Sequence, residues 1–491
     1  MKLQELLKDV AVKNSTAAQD IEIKEVRYDS RAVQPGDLFV AIRGYATDGH
    51  KYIAKAMEQG AAAVVCEEAP EGVPAVVVEN SRIALAEIAA NRFGHPAESM
   101  VMLGVTGTNG KTTTTYLVEH IARVAGMRTG VIGTVGIQIG DDHEKSEHTT
   151  PESPDLQRMF ARMRDSRCGA VAMEVSSHAL DLERTWKTRF AVTAFTNLTQ
   201  DHLDYHKTFD AYFEAKALLF SRDYPARRVI NVNDKWGQEL LRRCTANGDS
   251  VITTGFDAAA QIHPVEIDYA ATHTDIVLDV RGNRVPLSYP LVGRFNVENV
   301  MTAFAVGMQL GVSVDVIVEA LSDVPSVPGR LERVKSSRRD DISVYVDYAH
   351  TPDALAKAIS SIKALSQGRT IVVFGCGGNR DSSKRSIMGE AALAADYAVV
   401  TSDNPRHEDP LAIIDDILAG MGDGRDRFEV EPDRRRAIAR AIELSAPGDC
   451  ILLAGKGHED YQLVGDEVLP FDDRIVAAEE LDRDRETEEG E

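Results

Sequence analysis

The stretch Val101–Thr113, VMLGVTGTNGKTT, limits what this chain can fold into more than any other. Val101–Thr106 is apolar and β-branched, which predicts a buried strand. Gly107, Thr108, Asn109 and Gly110 interrupt it, and a helix-period pattern begins at Thr112. A strand entering a helix through a glycine-rich turn aims backbone N–H groups and the positive end of the helix dipole at one point. Lys111 adds a full positive charge, so the turn reads as a phosphate cradle. The hydroxyl of Thr112 is placed to ligate Mg²⁺ on a nucleotide, with Thr113 beside it. The strict P-loop spacing would need glycine at position 105, where Val105 stands, so the motif is a variant, GTNGKTT. A plain glycine-rich turn before a helix is the alternative.

At 491 residues the chain exceeds one core and predicts two to four domains. Fifty-five Lys and Arg against 77 Asp and Glu leave a formal charge of −22, which argues against nucleic acid and against an anionic membrane surface. Cys66, Cys168, Cys244, Cys376 and Cys450 are scattered without metal-ligand spacing and read as reduced thiols of a cytosolic protein. The N-terminus is broken by charge and reads as neither signal peptide nor anchor, and no apolar run is long enough to span a bilayer. The acidic tail is expected to fray.

Taken in order, residues 1–99 predict a small α/β unit. Strands are expected at 37–42, in AAVVC and in PAVVVEN, and helices over 50–60 and from a Ser81 cap to Gly94. Ser30, Arg31, Asp48 and His50 fall in its loops, where solvated residues are the ordinary reading. Residues 100–332 form the cradle-bearing unit. CGAVAMEVSSH predicts a strand running into Glu174, at the sheet edge where α/β proteins place functional groups, and Glu174 is a candidate Mg²⁺ ligand. His202 follows another β-type run, and Lys216 stands on an apolar helical stretch. Partial desolvation would expose a neutral amine there, although a surface lysine with a buried stem is what such a pattern usually denotes. Residues 333–491, with the boundary in 331–337, alternate apolar strands and helices, a parallel βαβ series with its loops on one edge. No G-x-G-x-x-G follows a strand, so a nicotinamide cofactor is rejected.

GTNGKTT, the Asp201-His202 to Ala215-Lys216 pattern, FNVEN (295–299), PGR (328–330) and DNPR (403–406) together resemble the Mur ligases, which build the peptide stem of bacterial peptidoglycan. The resemblance implies three α/β domains: a uridine-nucleotide domain, a central P-loop ATPase domain with a parallel-rich sheet, and a C-terminal Rossmann-like domain. It implies an ATP- and Mg²⁺-dependent amide-forming ligase, cytoplasmic and monomeric, with no nucleic-acid or membrane partner. In it, Glu174 and His202 join Thr112 as metal ligands, Lys216 carries a CO₂-derived carbamate that supports a second Mg²⁺, and Lys111 contacts phosphate.

Asn296, Arg330 and Asp347 inherit contacts to ATP. Ser30, Thr149, Thr150, Ser176 and Arg184 inherit contacts to UDP-N-acetylmuramoyl-L-alanyl-D-glutamate, although Leu182 stands where relatives often carry glutamine. Asp403, Asn404, Pro405 and Arg406 match the branch that adds meso-diaminopimelate, with Arg380, Gly455 and Glu459 completing its pocket. That substrate is lysine with one more carboxylate, which an arginine fork can grip and which lysine would leave unmet. The implied reaction activates a carboxylate of D-Glu as an acyl phosphate, and the amine then displaces phosphate. The amine pocket and the nucleotide lie on different units, so closure about 331–337 is expected. Two other readings are a folylpolyglutamate synthetase, against which DNPR and the N-terminal unit speak, and a P-loop NTPase switch.

Overall fold

A computed structural model describes residues 1–44, 47–146, 148–270, 272–336, 338–422 and 426–483. Residues 484–491, where fraying is expected, and Ser337 of the boundary window lie outside the described residues. The three α/β domains expected from the sequence are present, each built on its own sheet.

In the first sheet, Val26–Arg27, Leu38–Val40, Ala63–Cys66 and Ala75–Val78 run parallel, and Val12–Ser15 closes the edge antiparallel. The helix Ser81–Phe93 ends at Gly94, which takes the left-handed conformation (φ 69°). Its cap is Asn80, not Ser81. The Asn80 side chain accepts from the N–H groups of Arg82 and Ile83, while Ser81 lies inside the first turn and donates to Glu67. The helix expected over 50–60 opens as a 3₁₀ turn, Gly49–Tyr52, because Asp48 caps His50 N–H at 3.0 Å, and it becomes α-helical only over Ile53–Glu58.

Among the described residues the central sheet has eleven strands. Val101–Thr106 lies in its middle, parallel to Ala170–Glu174 on one side and Phe190–Phe195 on the other. Alternation along this strand sends Leu103 and Val105 to one face, against Leu117, Val118 and Ile121 of the helix Lys111–Val124 and Phe304 of the helix Arg294–Leu310. Met102 goes to the other face, among Phe160, Met173 and Phe213. One end of the sheet continues as the antiparallel strands Ile262–Tyr269, Thr274–Val280 and Asn283–Tyr289, and the other as Ile137–Ile139 and Asp142–Glu144.

The third sheet is parallel over Ser343–Asp347, Cys450–Ala454, Thr370–Phe374, Tyr397–Val400 and Phe428–Val430. Glu332–Val334 joins it antiparallel to Val344–Val346, so three residues of the boundary segment 331–337 are an edge strand of this sheet. Asp347, Gly375, Asp403 and Gly455 all follow or close strand C-terminal ends, where loops of a parallel sheet gather.

Candidate active site

Two glycines of the cradle are dictated by crowding. A Cβ on Gly107 would overlap Thr196 Oγ1, and one on Gly110 (φ 85°) would overlap Asn299 Oδ1. Lys111 begins the helix and folds back, its Nζ donating to the carbonyls of Gly107 (3.0 Å) and Thr108 (2.8 Å). Lys216 approaches from the helix Phe209–Ala217. It is 1% exposed, which removes the surface-lysine reading, and its Nζ donates to Gly107 O at 2.7 Å. Burial, and then the Lys111 charge, hold the Lys216 amine well below its ordinary value. Burial lowers Lys111 as well, with Glu174 and Asp201 opposing.

Glu174 is buried at its strand end, accepting from Thr134 N (2.8 Å) and Thr134 Oγ1 (3.2 Å). His202 has φ 53°, and its Nε2 lies 3.4 Å from Asp201 Oδ2. Desolvation lowers the His202 imidazole against the Asp201 charge, which favours the neutral form in which imidazole ligates metal. Burial also opposes the Asp201 carboxylate, but His202, His350 and Lys111 outweigh it and hold it below the usual range.

These groups face a cavity of about 400 Å³ closed on its far side by Arg330 and by Asp347, Tyr348, His350 and the helix Pro352–Lys363 of the third domain. Asn109 Nδ2 donates across it to Asp353 Oδ2 at 3.0 Å, and Arg330 Nη2 to Thr112 Oγ1 at 3.0 Å. Arg330 also lies over the Tyr348 ring, 4.6 Å from its centroid. Asp347 accepts from Leu331 N, and burial lifts its carboxyl to about 6.

Among the described residues no three His, Cys, Asp or Glu side chains form a ready-made metal cluster. Thr112, Glu174, His202 and Lys216 nevertheless line the one cavity. The Thr112 hydroxyl and the dry Glu174 carboxylate beside a phosphate cradle are the hard oxygen donors that suit Mg²⁺, with the His202 imidazole at the rim. That ion takes few protein ligands and completes its shell with phosphate and water.

Thr149 and Ser176 reach the same cavity, while Thr150 and Arg184 lie behind them. Thr150 Oγ1 donates to Glu174 O (2.8 Å), and Arg184 Nη1 to Thr150 O (3.0 Å). Arg184 also pairs with Glu152 (2.9 Å), which Arg82 of the first domain approaches at 3.4 Å. Arg82 further donates to the backbone oxygen of Leu182 at 3.2 Å. Ser30 is buried in a 3₁₀ turn of the first domain and is not brought to this cavity. Nor is Asn296. It is Asn299, one turn on, that faces the cavity and donates to Asn296 Oδ1 at 3.0 Å.

The 403–406 loop forms a separate site at the neighbouring strand ends. Arg406 adopts φ 54° after Pro405, a strained position held from both sides. Its N–H donates to Leu463 O (3.0 Å) and its carbonyl accepts from Gly465 N (2.7 Å), both on the hairpin Tyr461–Val464 and Glu467–Pro470. Arg406 Nη1 donates to Gly378 O at 2.8 Å, and Arg380 is exposed nearby. Gly455 has no room for a side chain, because Asp403 Oδ2 would lie 2.5 Å from its Cβ. Glu459 accepts from Asn404 Nδ2 at 2.9 Å.

Comparison with known proteins agrees along the whole chain. Models of the Mur ligase middle domain, of the Mur ligase glutamate ligase domain and of the Mur ligase catalytic domain match residues 105–307, 329–457 and 22–93. A UDP-N-acetylmuramoyl-L-alanyl-D-glutamate–2,6-diaminopimelate ligase of Syntrophomonas wolfei is 42% identical, covering 98% of this chain and 99% of that one. The chain belongs to the Mur ligase family. An enzyme of the same description from Gloeobacter violaceus is 44% identical, with 99% of both chains covered. A solved structure described as that ligase superposes with a TM-score of 0.70 at 30% identity, covering 98% of each chain.

As a Mur ligase the molecule is an ATP-dependent amide-forming enzyme, and several groups around its cavity escape sequence reading. Asp201, Thr134, Asn299, Tyr348 and Asp353 are polar or aromatic residues of ordinary loops and helix starts. Asp201 and Asn299 stood inside the Asp201-His202 and FNVEN motifs without a role of their own, whereas Thr134 carried no signal. Among the described residues no helix is long and apolar enough to cross a membrane.

Proposed function

We propose that this Mur ligase joins meso-diaminopimelate to UDP-N-acetylmuramoyl-L-alanyl-D-glutamate, with cleavage of ATP to ADP and phosphate, in cytoplasmic peptidoglycan precursor synthesis. The observation that carries the reading is identity of 42–44% over nearly the whole length to enzymes described as catalysing that ligation. The enzyme acts as a monomer on dissolved small molecules, without nucleic acid or membrane.

ATP lies along the 107–113 turn. Lys111, the backbone N–H groups and Arg330 meet its phosphates, with Asn296 acting through Asn299 and with Asp347 at the nucleoside end. Thr112, Glu174, His202 and carbamylated Lys216 would hold Mg²⁺, which supplies charge neutralisation at the transferring phosphoryl group. Ser30 binds the uridine end of the acceptor. Thr149, Thr150, Ser176 and Arg184 orient its peptide so that a D-Glu carboxylate attacks the γ-phosphorus. The acyl phosphate forms, ADP leaves, and the amine attacks the acyl carbon as phosphate departs. Fixing three reactants in one site makes both attacks effectively unimolecular.

The incoming amino acid sits between Arg380 and Arg406, which grip its distal carboxylate, and Asp403, Gly455 and Glu459, which face its distal ammonium. Backbone carbonyls occupy Arg406 Nη1, and a carboxylate on its other edge completes a fork. L-Lysine lacks that carboxylate and leaves the guanidinium unmet, a loss of about tens to hundreds-fold in kcat/KM.

The test is an end-point ligation with ATP and the UDP-linked dipeptide, offering meso-diaminopimelate or L-lysine. Product with diaminopimelate alone is expected. Exclusive use of lysine refutes the role of Arg406, and use of neither amine refutes the reaction.

A further inference from the structure

Lys456, the residue after Gly455, has a side chain that is 0% exposed, which lysine seldom is without partners. Its Nζ donates to Asn404 Oδ1 at 3.1 Å and stands 3.6 Å from Glu459 Oε2 and 3.8 Å from Asp403 Oδ1. Leu463 N–H donates to the same Asn404 oxygen at 2.9 Å. With two donors on its oxygen, the Asn404 amide must turn its NH₂ end to Glu459 Oε2.

Behind this group Arg434 and Asp473 pair at 2.6 Å, both side chains 0% exposed, and Arg434 also donates to the carbonyl of Ala454, just before Gly455. Lys456 and Arg434 are therefore two cations among three carboxylates: Asp403, Glu459 and Asp473. One negative charge is left over in a pocket with little water, an arrangement that is costly until a cation arrives. Tyr348 and Tyr461 are the other titratable groups facing Glu459.

We propose that Lys456 is a positioning residue: it orients Asn404 and Glu459 and sets the surplus of the cluster at one negative charge, so that the pocket takes one substrate ammonium. The inference rests on the proposed function, and it adds a residue and a charge rule to that site. Burial and Asp403 already raise the Glu459 carboxyl, while Lys456 and Asn404 pull it down. Without Lys456 that downward pull is lost, and a proton on Glu459 competes with the ammonium for the same lone pairs.

The experiment is steady-state kinetics of Lys456→Met between pH 6 and 9, varying meso-diaminopimelate at saturating ATP and UDP-linked dipeptide. The KM for diaminopimelate is expected to rise about ten- to a hundredfold at pH 7 and to fall as the pH rises. The KM for ATP stays within about twofold. Lys456→Met with Glu459→Gln restores the surplus of one charge, and its KM should lose the pH dependence. An unchanged KM for diaminopimelate, or equal rises for both substrates with a flat pH profile, overturns the proposal. Should Lys456→Met fail to fold, Lys456→Gln is measured against the same outcomes. A wild-type enzyme that ligates no diaminopimelate overturns the proposed function itself.

Discussion

Lys111 and Lys216, 105 positions apart in sequence, donate to the same oxygen, the carbonyl of Gly107, at 3.0 and 2.7 Å. Two ammonium groups on one acceptor repel, which favours loss of the proton from the more deeply enclosed one. Lys216 is that one, held down by burial and then by Lys111. The proposed phosphate cradle thereby also favours the neutral amine, the form that adds CO₂ to give a carbamate.

Replacing Lys216 by alanine is accordingly expected to lower kcat by about a hundredfold or more, with added bicarbonate giving no rescue. Carbon-13 bicarbonate should give a carbamate resonance in the wild type that the variant lacks. Full activity in Lys216→Ala removes the residue from the mechanism.

The same amine has a stability consequence with a definite sign. Its folded value lies below the ordinary 10.5, so the unfolded chain binds the proton more tightly. The cost to the fold is complete below the folded value and disappears as pH rises toward 10.5. In CO₂-free buffer Lys216→Met should therefore be more stable than the wild type near pH 6, with the difference narrowing at alkaline pH. A difference in Tm that does not change with pH contradicts this.

Gly329, beside Arg330, takes φ 63° where the 455–459 loop comes closest, and a Cβ there would overlap the backbone of Gly457 and His458. Gly329→Ala must either strain the turn or push that loop from the central domain. A loss of about 1–3 kcal/mol in stability, read by denaturant unfolding, is expected, together with a larger fall in kcat than Gly72→Ala, a surface control with open space around it.

Two ion pairs between domains look alike on paper and differ in exposure. Lys145 and Asp460, 81% and 45% exposed, are screened by water, and Lys145→Ala should change kcat/KM by less than about twofold. Arg82 and Glu152 are each 11% exposed, and Glu152 also steadies Arg184. Arg82→Ala should raise the KM for the UDP-linked dipeptide about tenfold while leaving that for ATP unchanged. Equal effects of the two substitutions would contradict this ranking.

Local chemistry made the parallel cores legible. The β-branched run before GTNGKTT, the stripe Leu117, Val118 and Ile121, and the stop at Gly94 each carry their own signal. The edges were harder. Glu332–Val334 is short and charged, and pairs only because Val344–Val346 offers it an open edge, a fact about another segment. Asn80 displaced Ser81 as a cap because both residues are good caps and only backbone geometry decides between them. The same limit applies at the site. GTNGKTT and DNPR are contiguous, whereas Asn299 against Gly110, Asp353 against Asn109 and Lys456 against Asn404 are contacts made by folding.

The proposed acyl phosphate forms when ATP in the middle domain activates a carboxylate for an amine held by the third domain. This step is tested most directly with UDP-linked dipeptide carrying oxygen-18 in the D-Glu carboxylates, incubated with ATP and meso-diaminopimelate. One labelled oxygen per inorganic phosphate, in step with amide formed, is the predicted result. Amide formation with unlabelled phosphate would contradict it.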